Sequence, residues 1–247
     1  MILAAVCSAM LSSCGSAYKD QPFGGMNGKV QTAKVWHIRP EVWQVNNRGT
    51  AVMYVNSSVY DIYGNEIYSA TMDSAQHIQT EAESLFENAV STRSTLRAGG
   101  RVIARISLTS QDKGRLEYNK EVNGRIVRMS VKKSSFLGRH KSVVTEDGVV
   151  TEIRVIKTDR EGYPVKITVT EPKTGRETVQ TNVFDQNHNV IEKHMHTNMG
   201  ENGREETQIT YCEYSEFDDH GNWTQCRTFN KIHLPAEILV RELEYWE

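Results

Sequence analysis

The chain has 247 residues, of which 38% are hydrophobic and 24% charged, and its formal net charge is −2. A nearly neutral chain has no electrostatic basis for binding nucleic acid or an anionic membrane surface, so neither partner is expected. The length is sufficient for one sizeable hydrophobic core.

The N-terminus predicts export and lipidation. Residues 1–13 form an apolar run with the length of a signal-peptide core, too short to span a bilayer. The run leads into LSSC, whose cysteine is Cys14; this resembles a bacterial lipobox, although no basic residue precedes it. We predict a signal peptide over 1–13, a lipidated Cys14 and a flexible tether over 14–25. The alternative is a buried N-terminal strand or helix with an incidental cysteine.

Residues 26–247 are predicted to form a single β domain. Turn glycines at positions 100, 114, 124, 138, 148 and 162 follow one another at alternating intervals of 14 and 10 residues. Apolar and polar residues alternate between them, which predicts consecutive antiparallel strands. The predicted strands are 29–39, 50–60, 65–72, 101–108, 115–120, 125–132, 141–145, 149–157, 164–170, 177–184, 190–196, 206–217, 223–229 and 237–246.

Residues 74–89 are the exception to this pattern. Ile78, Ala82, Leu85 and Phe86 recur at helical spacing, which predicts one short helix. An irregular excursion between strands is the alternative. The last predicted strand, 237–246, has a short C-terminal helix as its alternative, because Glu, Leu and Arg favour helices.

The predicted fold class is all-β, a long antiparallel meander. A sheet of this length must twist, curl or close, because exposed edges invite pairing with other chains. We predict a strongly twisted or curled, half-barrel-like sheet, with a closed barrel as the alternative. Apolar residues of one parity in two strands are predicted to face the core: Val149, Ile153 and Val155, and Val165, Ile167 and Val169.

A six-residue motif recurs in the chain: an aromatic residue, Asp, two variable residues, then Gly-Asn. It occupies 60–65 and 217–222, and a degraded copy at 184–189 has His188 in the Gly position. Asp stabilises a type I turn by accepting backbone N–H groups, and the Gly position takes the left-handed conformation. We therefore predict that five residues of these motifs are structural turn residues: Asp61, Gly64, Asp185, Asp218 and Gly221.

These motifs resemble the YD repeats of RHS-type proteins. The segment Met26–Gln31 is similar to the start of small Bacteroidetes lipoproteins that carry degenerate copies of the repeat, and the alternating 241–246 is similar to their closing strand. The resemblance spans most of residues 26–247. It implies an extended or curled β-sheet, and the family motif contains no catalytic residue to transfer to this chain.

Four side chains are candidates for further chemistry. Cys212 and Cys226 flank the last motif, and a small change of hairpin register would bring them within disulfide range. Two reduced, partly buried thiols are the alternative. His194 and His196 share one face of a predicted strand and are weak metal-ligand candidates. No carboxylate stands at a fitting spacing, so neither a metal nor another cofactor is predicted.

The sequence contains neither a nucleophile elbow nor a phosphate-binding loop. We therefore predict a non-enzymatic lipoprotein of the bacterial cell envelope, anchored by its lipid, with the outer membrane as the expected location. Its β domain would bind a partner protein, a polymer such as an envelope glycan, or a lipid. The alternative is a hydrolase that acts on an envelope or dietary polysaccharide.

Overall fold

The computed structural model describes residues 26–40, 52–198 and 205–247. The predicted signal peptide, Cys14 and the tether lie outside these ranges. Within them, no helix is long and apolar enough to cross a membrane. The strands are β1 Val30–Ile38, β2 Val52–Tyr60, β3 Glu66–Asp73, β4 Ile78–Glu87, β5 Val90–Ala98, β6 Arg101–Asp112, β7 Arg115–Val122, β8 Arg125–Phe136, β9 Arg139–Glu146, β10 Val149–Thr158, β11 Pro164–Glu171, β12 Arg176–Phe184, β13 Val190–Asn198, β14 Glu205–Phe217, β15 Trp223–Asn230 and β16 Pro235–Tyr245.

The hydrogen-bonded strand order closes on itself. Each strand pairs with its neighbours along the chain, and β1 also pairs with β16, which is the order of a closed antiparallel barrel. In the closing pair, Ala33 lies opposite Leu243 and His37 opposite Leu239. The antiparallel β prediction is confirmed, whereas the prediction of a curled, half-barrel-like sheet is wrong. Closure pairs the backbone groups that two terminal edge strands would otherwise leave open.

The predicted helix over 74–89 is also wrong. A turn at 73–77 leads into β4, and a second turn leads into β5. Ala82 lies opposite Leu96, and Glu81 lies opposite Arg97. The Arg97 guanidinium contacts Glu81 at 3.4 Å and Glu83 at 2.9 Å. Such cross-strand pairs stabilise a sheet and outweigh a weak helical preference of the sequence.

A five-residue loop with one hydrogen-bond pattern closes six of the described hairpins. At Asp61, Oδ1 accepts the N–H groups of Tyr63 and Asn65, both at 2.9 Å. The Gly64 N–H donates to the Asp61 carbonyl at 3.0 Å. Gly64 has a φ of +85°, a conformation that glycine adopts without steric cost. The six loops are 61–65, 73–77, 159–163, 185–189, 218–222 and 230–234.

The structure places the predicted turn residues in these loops. Asp61, Asp185 and Asp218 each provide the accepting carboxylate at the first position. Gly64 and Gly221 hold the fourth position, where φ is positive. Three further copies, which begin at residues 73, 159 and 230, have no aromatic-Asp-x-x-Gly-Asn signature; of these, only the turn at 159–163 was predicted, from Gly162.

The chain divides into two compact units. Unit 1 contains the described parts of Asp20–Arg105 together with Cys212–Glu247, and unit 2 contains Ile106–Tyr211 without the undescribed residues 199–204. In unit 1, the start of β1 packs against the end of β2 through Val30, Ala33 and Tyr60. Partly buried hydrophobic residues cover this cluster: Met26, Leu243, Tyr245 and Trp246.

Strands β7, β8 and β9 of unit 2 have one packed face and one polar face. Leu116 lies opposite Val131, which in turn lies opposite Val144, and all three are buried. Tyr118 and Met129 form a second buried pair on the same face. The opposite face of these strands carries mostly charged, amide and hydroxyl side chains, together with the exposed Ile126 and Phe136 of β8.

The predicted core faces of β10 and β11 do not coincide. Ile153 lies opposite Thr170, and Arg154 lies opposite Val169. Ile153 and Val169 are therefore on opposite faces of the sheet. The prediction that both apolar sets face one core is wrong, because alternation within a strand does not fix the register between strands.

Candidate binding surface

A groove of about 800 Å³ lies over the polar face of β7, β8 and β9 in unit 2. Tyr118 and Met129 contribute to its lining but are themselves almost completely buried. The side chains that are exposed in the groove are therefore mainly polar ones. The charged, amide and hydroxyl-bearing side chains that line the groove include Arg115, Glu117, Asn119, Arg128, Thr145 and Asp147.

The register of the three strands sets these side chains in rows. Glu117 lies opposite Ser130, which lies opposite Thr145. In the next row, Asn119 lies opposite Arg128. Neighbouring strands are about 4.8 Å apart, so hydrogen-bond donors and acceptors alternate across the groove at roughly that spacing.

Hydrogen bonds and ion pairs hold the two carboxylates in place. Glu117 accepts the Ser110 hydroxyl at 3.0 Å and contacts the Arg115 guanidinium at 3.0 Å. Asp147 accepts the backbone N–H of Arg128 at 3.0 Å and lies 3.6 Å from the Arg125 guanidinium.

The Arg128 guanidinium makes no ion pair within the residues that the structure describes, unlike the two carboxylates beside it. It is exposed at the surface of the groove. Its N–H donors remain available to a ligand. A ligand carboxylate or hydroxyl could therefore bind Arg128 without first displacing an ion pair.

A second polar cluster, in unit 1, centres on His37. Asn56 Nδ2 lies 3.0 Å from His37 Nε2, and His37 Nδ1 lies 3.3 Å from a Glu237 carboxylate oxygen. The Thr71 hydroxyl donates to the Asn56 carbonyl oxygen at 3.1 Å, and the Tyr54 ring stacks on the imidazole. Both ring nitrogens are occupied, and an amide holds the place that a nucleophile would need in an acyl-transfer triad. The cluster is a structural network.

The weak metal-ligand candidates do not acquire a third ligand. His194 Nε2 lies 2.5 Å from a Glu192 carboxylate oxygen, and His196 Nδ1 lies 3.0 Å from the Thr207 hydroxyl. Across the described ranges, no three His, Cys, Asp or Glu side chains group closely enough to hold a metal ion. The two histidines contact polar neighbours on the strand instead.

Cys212 and Cys226 are present as thiols in this structure. Cys226 is buried, and both the neighbouring Cys212 thiol and burial raise its pKa. The two thiols are therefore neighbours on β14 and β15. The disulfide bond between them stays a prediction.

The β14–β15 loop, 218–222, holds the first described residues of the chain. Asn222 accepts the Asn27 N–H at 2.7 Å, and its amide donates to the Asn27 carbonyl at 2.9 Å and to the Tyr245 hydroxyl at 2.8 Å. The Tyr245 hydroxyl donates to Asp218. At Gly28, with a φ of +79°, a Cβ would come within 3.1 Å of the Tyr245 ring. We call Asn27, Asp218, Asn222 and Tyr245 the N-terminal clamp.

The clamp shifts the ionisation of its members. Burial, followed by the hydrogen bond to Asp218, raises the pKa of Tyr245 to about 12. Burial acts to raise the pKa of Asp218, but hydrogen bonds from Tyr245 and Asn222 lower it overall. At the other end of the hydrophobic cluster, burial and the Glu66 carboxylate raise the pKa of Tyr60 to about 12.

We expect the free energy of unfolding to fall as the pH rises from about 10 to about 12. Unfolded tyrosines release their protons near pH 10, whereas Tyr60 and Tyr245 keep theirs up to about 12 in the folded state. A tyrosine whose pKa is higher in the folded state than in the unfolded state contributes its full stabilisation below the unfolded-state pKa. This contribution is lost as the pH rises through the folded-state pKa. Tyr245→Phe should make the decline shallower, as measured by urea unfolding between about pH 9 and pH 11. The control is Tyr63→Phe, at an exposed loop position; equal slopes in the two variants would contradict the assignment.

No protein-family model and no curated protein sequence matches this chain. Two solved structures have weak similarity to it. A porin-like protein from Bacteroides vulgatus has a TM-score of 0.43 and 10% identity, over 89% of this chain and 99% of that one. A porin-like protein from Bacteroides uniformis has a TM-score of 0.34 and 8% identity, over 88% and 98% of the two chains. Similarity at this level identifies neither the fold nor the function of this chain.

Proposed function

We propose that this protein is a non-enzymatic, lipid-anchored module of the bacterial cell envelope, and that the groove over β7–β9 binds a hydroxyl- and carboxylate-bearing glycan. The groove is the observation that carries this proposal. It offers an unpaired guanidinium at Arg128, an amide at Asn119 and acceptor carboxylates at Glu117 and Asp147. Glycans are bound through such sets of donors and acceptors, and Arg in particular recognises carboxylates.

The sheet topology and the polar face of unit 2 support this choice of ligand. Because β1 pairs with β16, the strand order leaves no free edge to which a partner peptide could add a strand. Within the groove, this face of β7–β9 carries Arg115, Glu117 and Arg128, while the exposed Ile126 and Phe136 of the same face lie outside its lining. A hydrophilic ligand is therefore the class that fits this surface.

The geometry gives less support to hydrolysis. A glycosidase needs one carboxylic acid that donates a proton and a second carboxylate opposite it. In the groove, Arg115 pairs with Glu117, and Arg125 pairs with Asp147. Each carboxylate thus has a guanidinium as its partner rather than a second carboxylic acid.

Arg128→Ala is expected to weaken binding of an acidic glycan by about tenfold or more, because it removes the one groove cation that has no partner in the described residues. The probe is a set of soluble peptidoglycan fragments, which carry both hydroxyl and carboxylate groups, titrated calorimetrically into the full chain. The matched control is Lys132→Ala. Lys132 is exposed on the same strand and face as Arg128 but does not line the groove.

Three outcomes would contradict the proposed binding role. The fragments could fail to bind, both variants could lose affinity equally, or the fragments could be cleaved during the titration. Cleavage would establish the hydrolase alternative instead. A neutral glucan run in parallel shows whether the carboxylate of the ligand contributes to recognition.

The lipid anchor is tested separately from the groove. Mass spectrometry of the mature N-terminal peptide should show a diacylglyceryl thioether at Cys14, and Cys14→Ala should move the protein out of the membrane fraction. A mature chain that begins elsewhere, or one that stays in the membrane after Cys14→Ala, would contradict the proposed anchoring.

A further inference from the structure

The N-terminal clamp fixes where the N-terminal segment joins unit 1. Asn27 is held at the β14–β15 loop by two hydrogen bonds with Asn222, at 2.7 and 2.9 Å. Met26 packs on the cluster formed by Val30, Ala33 and Tyr60. The segment 14–25 therefore meets unit 1 at the end where β1 begins.

The β2–β3 loop lies at the same end of unit 1. Thr32, near the start of β1, pairs with Val59, near the end of β2. Tyr60, the last residue of β2, belongs to the hydrophobic cluster that Met26 contacts. The two complete copies of the aromatic-Asp motif, at 60–65 and 217–222, thus flank the point at which the N-terminal segment enters.

The β2–β3 loop presents apolar side chains to the outside. Ile62 is 50% exposed and Tyr63 is 82% exposed, and Phe217 beside the other loop is 45% exposed. The hydrogen bonds from Tyr63 and Asn65 to Asp61 hold the loop in one conformation. Ile62 and Tyr63 are therefore displayed at the tip of a fixed turn, and Tyr is a residue favoured at membrane–water interfaces.

We propose that this end of unit 1 rests on the lipid surface that carries the Cys14 anchor, with Ile62 and Tyr63 inserted at the level of the headgroups. The inference rests on the lipid anchoring in the proposed function. The 12 residues of segment 14–25 span at most about 40 Å when extended. An anchor that close keeps the loop at a high effective concentration near the bilayer, so a weak intrinsic affinity is sufficient.

The β15–β16 loop provides a matched control at the other end of unit 1. Loop 230–234 has the same hydrogen-bond pattern as loop 61–65. It also carries two exposed apolar residues, Ile232 at 66% and Leu234 at 55%. It connects the end of β15 to the start of β16, opposite the end that holds Asn27. The two loops thus share a hydrogen-bond pattern and exposed apolar side chains but occupy opposite ends of the unit.

Tyr63→Trp and Ile232→Trp report the depth of the two loops. Each full-length lipidated variant is reconstituted into vesicles of phosphatidylethanolamine and phosphatidylglycerol that contain lipids brominated near the headgroup. The added tryptophan fluorescence is the difference from the wild-type protein. We expect quenching at position 63 to exceed that at position 232 by about twofold or more, because only the first loop would reach the bilayer. Equal quenching, no quenching, or stronger quenching at 232 would overturn the proposal.

A second arm separates this inference from the proposed anchoring. In Cys14→Ala, residues 1–13 are replaced by a hexahistidine tag, and the chain is tethered to vesicles by a nickel-chelating lipid. Selective quenching of Tyr63→Trp in this arm supports the membrane contact even if Cys14 proves not to be lipidated. If position 63 is quenched in neither arm, the contact is overturned, whereas the anchoring is still judged by the Cys14 thioether.

Discussion

Glu146→Ala is expected to lower the free energy of unfolding by about 3 kcal/mol. Lys120 Nζ lies 2.6 Å from Glu146 Oε1, and the Lys120 side chain is only 7% exposed. Lys120 lies opposite Val127, and Glu146 lies opposite Met129, on the packed face of β7–β9. Removing the carboxylate leaves a buried ammonium without its counter-ion, which costs more than the pair contributes when it is intact.

Glu117→Ala is the matched control for this experiment. Glu117 and Arg115 lie 3.0 Å apart, but their side chains are 45% and 57% exposed. An exposed pair of this kind contributes less than about 1 kcal/mol because water and salt screen it. Urea unfolding should therefore separate the two single variants by about 2 kcal/mol.

A double variant tests the cause of the Glu146→Ala effect. Lys120→Met combined with Glu146→Ala removes the stranded charge and keeps the bulk of the buried side chain, so most of the lost stability should return. If the double variant is no more stable than Glu146→Ala, the loss comes from packing rather than from an unpaired charge.

The turns show how far sequence can predict this fold. The loops that begin at Asp61 and Asp218 contain both Gly and Asn, so the aromatic-Asp-x-x-Gly-Asn motif identifies them from sequence alone. The loops at Asp73 and Asn230 have Gln76 and His233 at the fourth position, with φ of +63° and +57°. The loop requires only a side-chain oxygen at the first position and a tolerable left-handed residue at the fourth. A pattern search that demands Gly-Asn finds only the most favourable copies.

Long-range pairing is the part of the fold that local pattern does not determine. Alternation predicts strands, but half-barrel and closed barrel differ only in whether β1 pairs with β16. That pairing joins Ala33 to Leu243, at opposite ends of the chain. The wrong prediction of a helix over residues 74–89 has a related cause. Ala82 gains its strand partner from Leu96, in a Ser-, Thr- and Arg-rich segment that was not predicted as a strand.

The candidate groove was not visible in the sequence either. Arg115, Glu117 and Asn119 alternate along β7, which indicates a polar face but not a depression in it. Only the register, which sets Asn119 opposite Arg128, brings side chains from separate strands into one site. Sequence predicts which residues face outward, whereas pairing decides which of them meet.

Asn222→Ala is expected to lower the free energy of unfolding by about 3 kcal/mol, which is the second large effect that we predict. Asn222 is 4% exposed, and its side chain makes two hydrogen bonds to the Asn27 backbone and one to Tyr245. The alanine variant loses all three of these bonds and leaves the Asn27 backbone groups, at an exposed position, without these partners. Each such bond contributes about 1 kcal/mol, so the three bonds together account for the expected loss.

Asn65→Ala is the control because Asn65 occupies the same position in the first loop. Its side-chain amide donates only to Asp61, at 2.8 Å, within its own loop. The expected loss is about 1 kcal/mol, so urea unfolding should separate the two variants by about 2 kcal/mol. Limited proteolysis provides an independent readout, since Asn222→Ala should expose residues 26–29 to cleavage and Asn65→Ala should not. If both variants lose equal stability and residues 26–29 stay protected, the hydrophobic packing of Met26 and Val30, rather than the clamp, holds the start of the chain on the sheet.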